Sequence, residues 1–147
     1  MNLKEKFFDI FNMYVEKKSS KKKISKTLKQ LLPYQIDTQL IRLGEKNDGG
    51  YLVPDDFVGI DKNYSAGVGF LTQFEKDLEE KYLIQSNMLD FNEIEKTLLP
   101  IKSSFLKKKL ALVSNNQEIS INDWIMQGDK DIILKLDIEG DEYATLI

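Results

Sequence analysis

The 147-residue chain contains no cysteine and no histidine. Without cysteine there are no disulfides, thiolate metal sites or cysteine nucleophiles. Without histidine, a Ser-His-Asp triad, an imidazole general base and nearly every zinc site are excluded. Proline is scarce too, at three residues beside eight glycines, and with no low-complexity tract this argues against a largely disordered chain. No apolar run approaches the ~20 residues of a membrane span. Lys4 and Lys6 are soon followed by Asp9 and by no long apolar core. The N-terminus therefore does not read as a signal peptide, and the expected location is the cytoplasm. Any chemistry must use carboxylates, lysines, hydroxyls, backbone amides or a bound cofactor.

What is present suits one globular domain: 41% apolar and 31% charged residues. The charge is uneven. Residues 1–30 hold nine lysines against Glu5, Asp9 and Glu16, a net of +6, whereas residues 31–147 hold 12 basic and 21 acidic residues, a net of −9. A basic leader of this kind can dock to a partner or an anionic surface. It equally reads as solvated helix ends around a linker at Ser19-Ser20. No aromatic residue interleaves with the lysines to stack on bases, so nucleic acid is not an expected partner.

Leu3, Phe7, Phe8, Phe11, Tyr14 and Val15 recur near a 3.6-residue period and predict an amphipathic helix. Ile24, Leu28, Leu31 and Leu32 predict a second, stopped near Pro33. Leu40, Ile41 and Leu43, the turn Asn47-Asp48-Gly49-Gly50, and Tyr51-Leu52-Val53 predict a hairpin. Beyond Asp61, strand and helix patterns alternate. Strands are expected at Lys62 to Ala66, Leu83 to Leu89, Phe105 to Val113 and Asp131 to Asp137. Thr72 opens a helix whose Thr72-Gln73-Phe74-Glu75 matches a capping box. Ser120 caps a short helix through Met126, ended by Gly128. The apolar run Ile132, Ile133, Leu134, Leu136 reads as a strand buried on both faces of a parallel sheet. The fold class is thus α/β with a doubly wound, Rossmann-like sheet.

In such a sheet ligands bind beyond the C-terminal ends of the strands. Three of those ends carry marked residues. Gly67-Val68-Gly69 stands between a strand and a helix; it is either a backbone cradle for an anionic ligand or a plain turn. The third glycine of the dinucleotide fingerprint is absent, since Leu71 and Thr72 occupy that region, which counts against a pyrophosphate-binding NAD site. Asp90 lies 21 residues after Gly69 at the next strand end, where a carboxylate either receives both ribose hydroxyls or caps the turn that follows. Lys135-Leu136-Asp137-Ile138-Glu139-Gly140 places Lys135 and Asp137 on one side of a strand, with Glu139 at its exit. These form either a polar cluster beside reacting groups or a buried Lys–Asp pair with a helix cap. Glu75 either closes the capping box or faces a ligand one turn past the glycines.

Together, Asn47-Asp48-Gly49-Gly50-Tyr51, Tyr64-Ser65-Ala66-Gly67-Val68-Gly69 with Phe74-Glu75, Ile121-Asn122-Asp123-Trp124-Ile125 and Lys135-Leu136-Asp137-Ile138-Glu139-Gly140-Asp141-Glu142 resemble the FkbM-type S-adenosylmethionine-dependent methyltransferases. The blocks fall in order over residues 40–147, the last being the most specific. The resemblance implies a class I methyltransferase sheet and methyl transfer to an oxygen of a sugar or related metabolite. It also implies cofactor binding by Ser65, Gly67, Gly69, Glu75 and Asp90, and a catalytic group of Asp137, Glu139 and Lys135. No metal is implied. Ser65 departs from the acidic residue many class I enzymes carry there. Residues 1–35 are then a basic helical extension and 36–147 a partial methyltransferase domain. Strands after the fourth are missing, so the expectation is a C-terminally truncated product that loses most of the acceptor wall. Its exposed sheet edge would be completed by a companion chain or by self-association. Two other readings are a different Rossmann-type nucleotide binder and a non-catalytic protein that docks through its basic helices.

Overall fold

The computed structural model describes residues 19–32 and 35–146. The first expected helix and Pro33 lie outside these residues. The chain divides into two units, Met1–Asp37 and Thr38–Ile147. In the first, α1 (Lys21–Gln30) starts where the Ser20 hydroxyl accepts from the Lys23 amide and ends where the Leu31 amide turns back to Thr27 and Leu28. None of its residues is buried.

The second unit begins with an antiparallel hairpin, β1 (Leu40–Gly44) and β2 (Gly50–Pro54). Next come β3 (Lys62–Ala66), α2 (Gln73–Tyr82), β4 (Ser86–Asp90), a 3₁₀ turn (Lys96–Leu98) and β5 (Ser104–Lys107). The chain closes with β6 (Lys109–Ala111), β7 (Glu118–Ser120), α3 (Ile121–Trp124), β8 (Ile132–Leu136) and α4 (Glu142–Leu146). The main sheet has four strands in the order β5-β4-β3-β8, all parallel. A mixed α/β fold with a Rossmann-like parallel sheet is what the alternating pattern led one to expect.

Side-chain alternation divides the packing between the two sheet faces. On one face Phe74 and Leu78 of α2 pack with Leu43 of the hairpin, Ile84 and Ile133. On the other, Tyr64, Ala66 and Leu89 pack with Leu110 and Trp124, the Tyr64 and Trp124 rings meeting edge to face at 5.3 Å. The Tyr64 hydroxyl donates to Asp129 at 2.6 Å and accepts from the Met126 amide, fixing the segment before β8.

Several elements differ from expectation, each for a local reason. β4 starts at Ser86 because Leu83 is the left-handed cap of α2, at φ +61°. The third strand is broken: β5 joins the main sheet, while β6 pairs with β7 in a separate ribbon. A tight turn, with the Lys108 amide donating to Leu106, separates the two. α3 stops at Trp124 because the Met126 amide is taken by Tyr64. β8 is not covered on both faces. It is the sheet edge that was also expected, and Leu134 is 36% exposed. No capping box forms at α2, since the Thr72 hydroxyl donates to the Leu98 carbonyl instead of holding the first turn.

Candidate functional site

From β3 the chain steps outward through β4 to β5, then returns to lay β8 on the opposite side of β3. At such a reversal the loops leaving the two adjacent strands diverge and open a crevice. A cavity of about 370 Å³ lies there. Its floor is the bend Gly67–Leu71, one wall is Lys135, Asp137 and Glu139 at the end of β8, and the other is Asp48, Gly49 and Tyr51 of the hairpin.

The bend depends on its glycines. Gly67 has φ +75°, and a Cβ there would stand 1.9 Å from the Asp137 carbonyl oxygen. That closeness follows from hydrogen bonds to both neighbours: the Gly67 amide donates to Leu89 at 2.9 Å, and the Asp137 amide donates to Ala66 at 3.0 Å. Gly69, at φ +53°, has no atom within 4 Å of its Cβ position, so its backbone faces open space. Its amide donates to Asp90 Oδ2 at 2.9 Å, while Asp90 Oδ1 accepts from the Asn92 amide at 2.7 Å. The buried Asp90 carboxylate thus ties the bend to the end of β4 and also caps its own turn. The residues that follow Asp90 help to line a second hollow, formed by Phe91, Asn92, Glu93, Lys107, Asn116 and Gln117.

Behind the cavity wall, Lys135 Nζ lies 3.0 Å from Glu75 Oε1. Glu75 is fully buried and its Oε2 has no partner. The ammonium also sits over the rings of Tyr51 and Phe74, at 5.2 and 5.4 Å from their centroids. Of the earlier alternatives, the capping box and the Lys–Asp pair are not met. Glu75 does not cap α2, and the partner of Lys135 is Glu75 rather than Asp137.

The Tyr51 hydroxyl donates to Asp137 Oδ2 at 2.8 Å. Burial, and then the hydrogen bond to Asp137, push the phenol well above its ordinary pKa, so it stays protonated. Glu139 has φ +57°, a left-handed conformation uncommon for a side-chain-bearing residue and one that collects at functional sites. The bend there is fastened by Glu142, whose Oε1 accepts from the Ile138 amide at 2.9 Å.

Of the expected site residues, Gly67, Gly69, Lys135, Asp137 and Glu139 line one cavity. Ser65, Glu75 and Asp90 stand behind its lining. Ser65 is wholly buried in the sheet and accepts from Asn63 Nδ2, which removes its hydroxyl from the cavity surface. Asp48 and Tyr51 were read as parts of a hairpin and of a block shared with the resembling family, without a site role, yet they line the cavity. The Asp-Gly-Gly-Tyr block was the available signal. Three carboxylates, Asp48, Asp137 and Glu139, face one ammonium already paired with Glu75, so the cavity favours a ligand with positive charge.

Comparison with protein-family models, curated proteins and solved structures returns no match. Among the described residues, no helix is long and apolar enough to cross a membrane. Among the same residues, no group of three or more acidic side chains is placed to hold a metal ion.

Proposed function

We propose that the chain is an FkbM-type, S-adenosylmethionine-dependent methyltransferase domain acting on an oxygen of a saccharide or related small molecule. The observation that carries this reading is the acid-lined cavity at the reversal of strand order, floored by a two-glycine bend that Asp90 holds against the next strand. The residues present suit such a cofactor. Open space at Gly69 admits an adenosyl group close to backbone. Asp90 bonds the bend at Gly69 and directly precedes Phe91 of the second hollow, so a nucleoside reaching from one to the other would pass close to its carboxylate. The carboxylates at the β8 end suit a sulfonium.

Bound there, the cofactor supplies an electrophilic methyl group that needs no general acid. What remains for the protein is alignment and removal of one proton. In this reading Asp137 takes the proton. Tyr51 holds Oδ2, leaving Oδ1 to accept from an acceptor hydroxyl. Glu139 and Asp48 line the same cavity. Lys135, as the ammonium of an ion pair, has no lone pair with which to take a proton, so it does not serve as the base.

Titration calorimetry with S-adenosylhomocysteine and with NAD tests the reading. Saturable binding of S-adenosylhomocysteine is expected. Saturable binding of NAD alone would overturn it in favour of another nucleotide-binding protein.

A further inference from the structure

The Lys135–Glu75 pair is buried but only partly satisfied. Removing two charges from water is costly, and their attraction offsets that cost only when the remaining protons and lone pairs also find partners. Here Glu75 Oε2 has none, and the ammonium gives one hydrogen bond to oxygen, at 3.0 Å, while its remaining surroundings include two aromatic rings. The two members differ in one respect. Glu75 is sealed off, whereas Lys135 borders the cavity. Held by Glu75 on a side chain that borders the cavity, this ammonium can receive an anion.

The rest of the cavity limits what that anion is attached to. Asp48, Asp137 and Glu139 oppose a purely anionic ligand but suit an ammonium or sulfonium beside the carboxylate. An α-amino acid head, with a carboxylate and an ammonium on adjacent positions, satisfies both requirements.

We infer that Lys135 anchors the α-carboxylate of an adenosyl ligand with an intact amino-acid tail, and that Glu75 is the positioning residue holding the ammonium at the cavity wall. This rests on the adenosyl-cofactor reading and adds to it the part of the ligand that Lys135 recognises.

Calorimetry on the full chain with three ligands decides it. S-adenosylhomocysteine carries the whole tail, its decarboxylated analogue lacks only the carboxylate, and 5′-methylthioadenosine lacks the tail. The unaltered chain is expected to bind S-adenosylhomocysteine about ten- to a hundredfold more tightly than the decarboxylated analogue, as befits a charge-assisted hydrogen bond. In the paired variant Lys135→Met with Glu75→Gln, which leaves no lone buried charge, that preference is expected to vanish while 5′-methylthioadenosine binds as before. Equal affinity of the unaltered chain for all three ligands would overturn the anchor and leave the cofactor reading intact. Full preference retained by the paired variant would overturn it too. Binding of none of the three would remove the cofactor reading and the anchor with it. Should the paired variant fail to fold, the ligand series on the unaltered chain decides alone.

Discussion

The phenol of Tyr51 and the carboxylate of Asp137, 86 positions apart in the chain, meet at 2.8 Å and join the hairpin to the end of β8. Because the bond uses one oxygen of Asp137, it steadies the carboxylate without consuming it. The hairpin is thus a wall of the cavity and not a decoration on the sheet.

Tyr51→Phe keeps the ring and removes that bond, with an expected loss of ~0.5–1.5 kcal/mol of stability near neutral pH. The pH dependence has a definite sign. The folded phenol ionises above the ordinary value of 10.0, so the stability tied to it is complete below that value and is lost as pH rises beyond it. Urea unfolding followed from pH 8 to 11 should show a shallower alkaline decline in the variant. Some decline will remain, because burial and the bond to Asp129 push Tyr64 in the same direction. Identical alkaline slopes in the two proteins would contradict the coupling.

On the acid side the corresponding link is Asp77, which fastens the hairpin to α2. Burial pushes its carboxyl up, but the Gly44 amide, Gln73 and Lys81 more than offset this, so its pKa lies below the ordinary 3.8. Its stabilisation is present above the unfolded value and fades as pH falls through the folded one. Asp77→Asn is expected to cost ~1–2 kcal/mol at pH 7 and progressively less toward pH 3. Parallel stability curves for the variant and the unaltered chain between pH 7 and 3 would remove Asp77 from this role.

Much of this frame could be read from residue order. Apolar runs ending in glycine or acid located β3, β4 and β8, and of the ends they marked, those of β3 and β8 line the cavity. The Asn47–Gly50 turn located the hairpin. What escaped depends on neighbours distant in sequence. Thr72 and Glu75 have the spacing of a capping box, yet Glu75 is drawn to Lys135, 60 positions away, because a lysine inside a sheet needs a carboxylate more than a helix end needs a cap. The apolar texture of Ile132 to Leu136 led to an expectation of cover on both faces, whereas the strand lies at the sheet edge that was also expected, with Leu134 exposed. Tyr51 alternates correctly as a strand residue, but its hydroxyl acquires a meaning only once β8 stands opposite.

Gly67 and Gly69 should respond differently to alanine. At Gly67 the new methyl would strike the Asp137 carbonyl in a left-handed conformation, so Gly67→Ala is expected to cost several kcal/mol (~3 or more) and lower yield. At Gly69 the methyl enters open space, so the expected cost is only the backbone strain, ~1–2 kcal/mol, with a folded product. That methyl would nevertheless occupy ligand space. Gly69→Ala should therefore weaken S-adenosylhomocysteine binding more than its loss of thermal stability suggests. Unimpaired binding by a folded Gly69→Ala chain would place the ligand elsewhere.

Asp90 separates two roles that its position allows. It holds the Gly69 amide and caps the turn at Asn92, but each carboxylate oxygen can accept a second hydrogen bond. If one is received from the ribose, Asp90→Ala should weaken S-adenosylhomocysteine by about tenfold or more. A cycle with the ligand lacking both ribose hydroxyls tells this apart from a slackened bend. Direct contact makes the two losses overlap by ~1 kcal/mol or more, whereas a purely local effect on the bend makes them add. Overlap is the expected result. Additive losses would confine Asp90 to shaping the bend, and an unchanged affinity in Asp90→Ala would take it out of the site altogether.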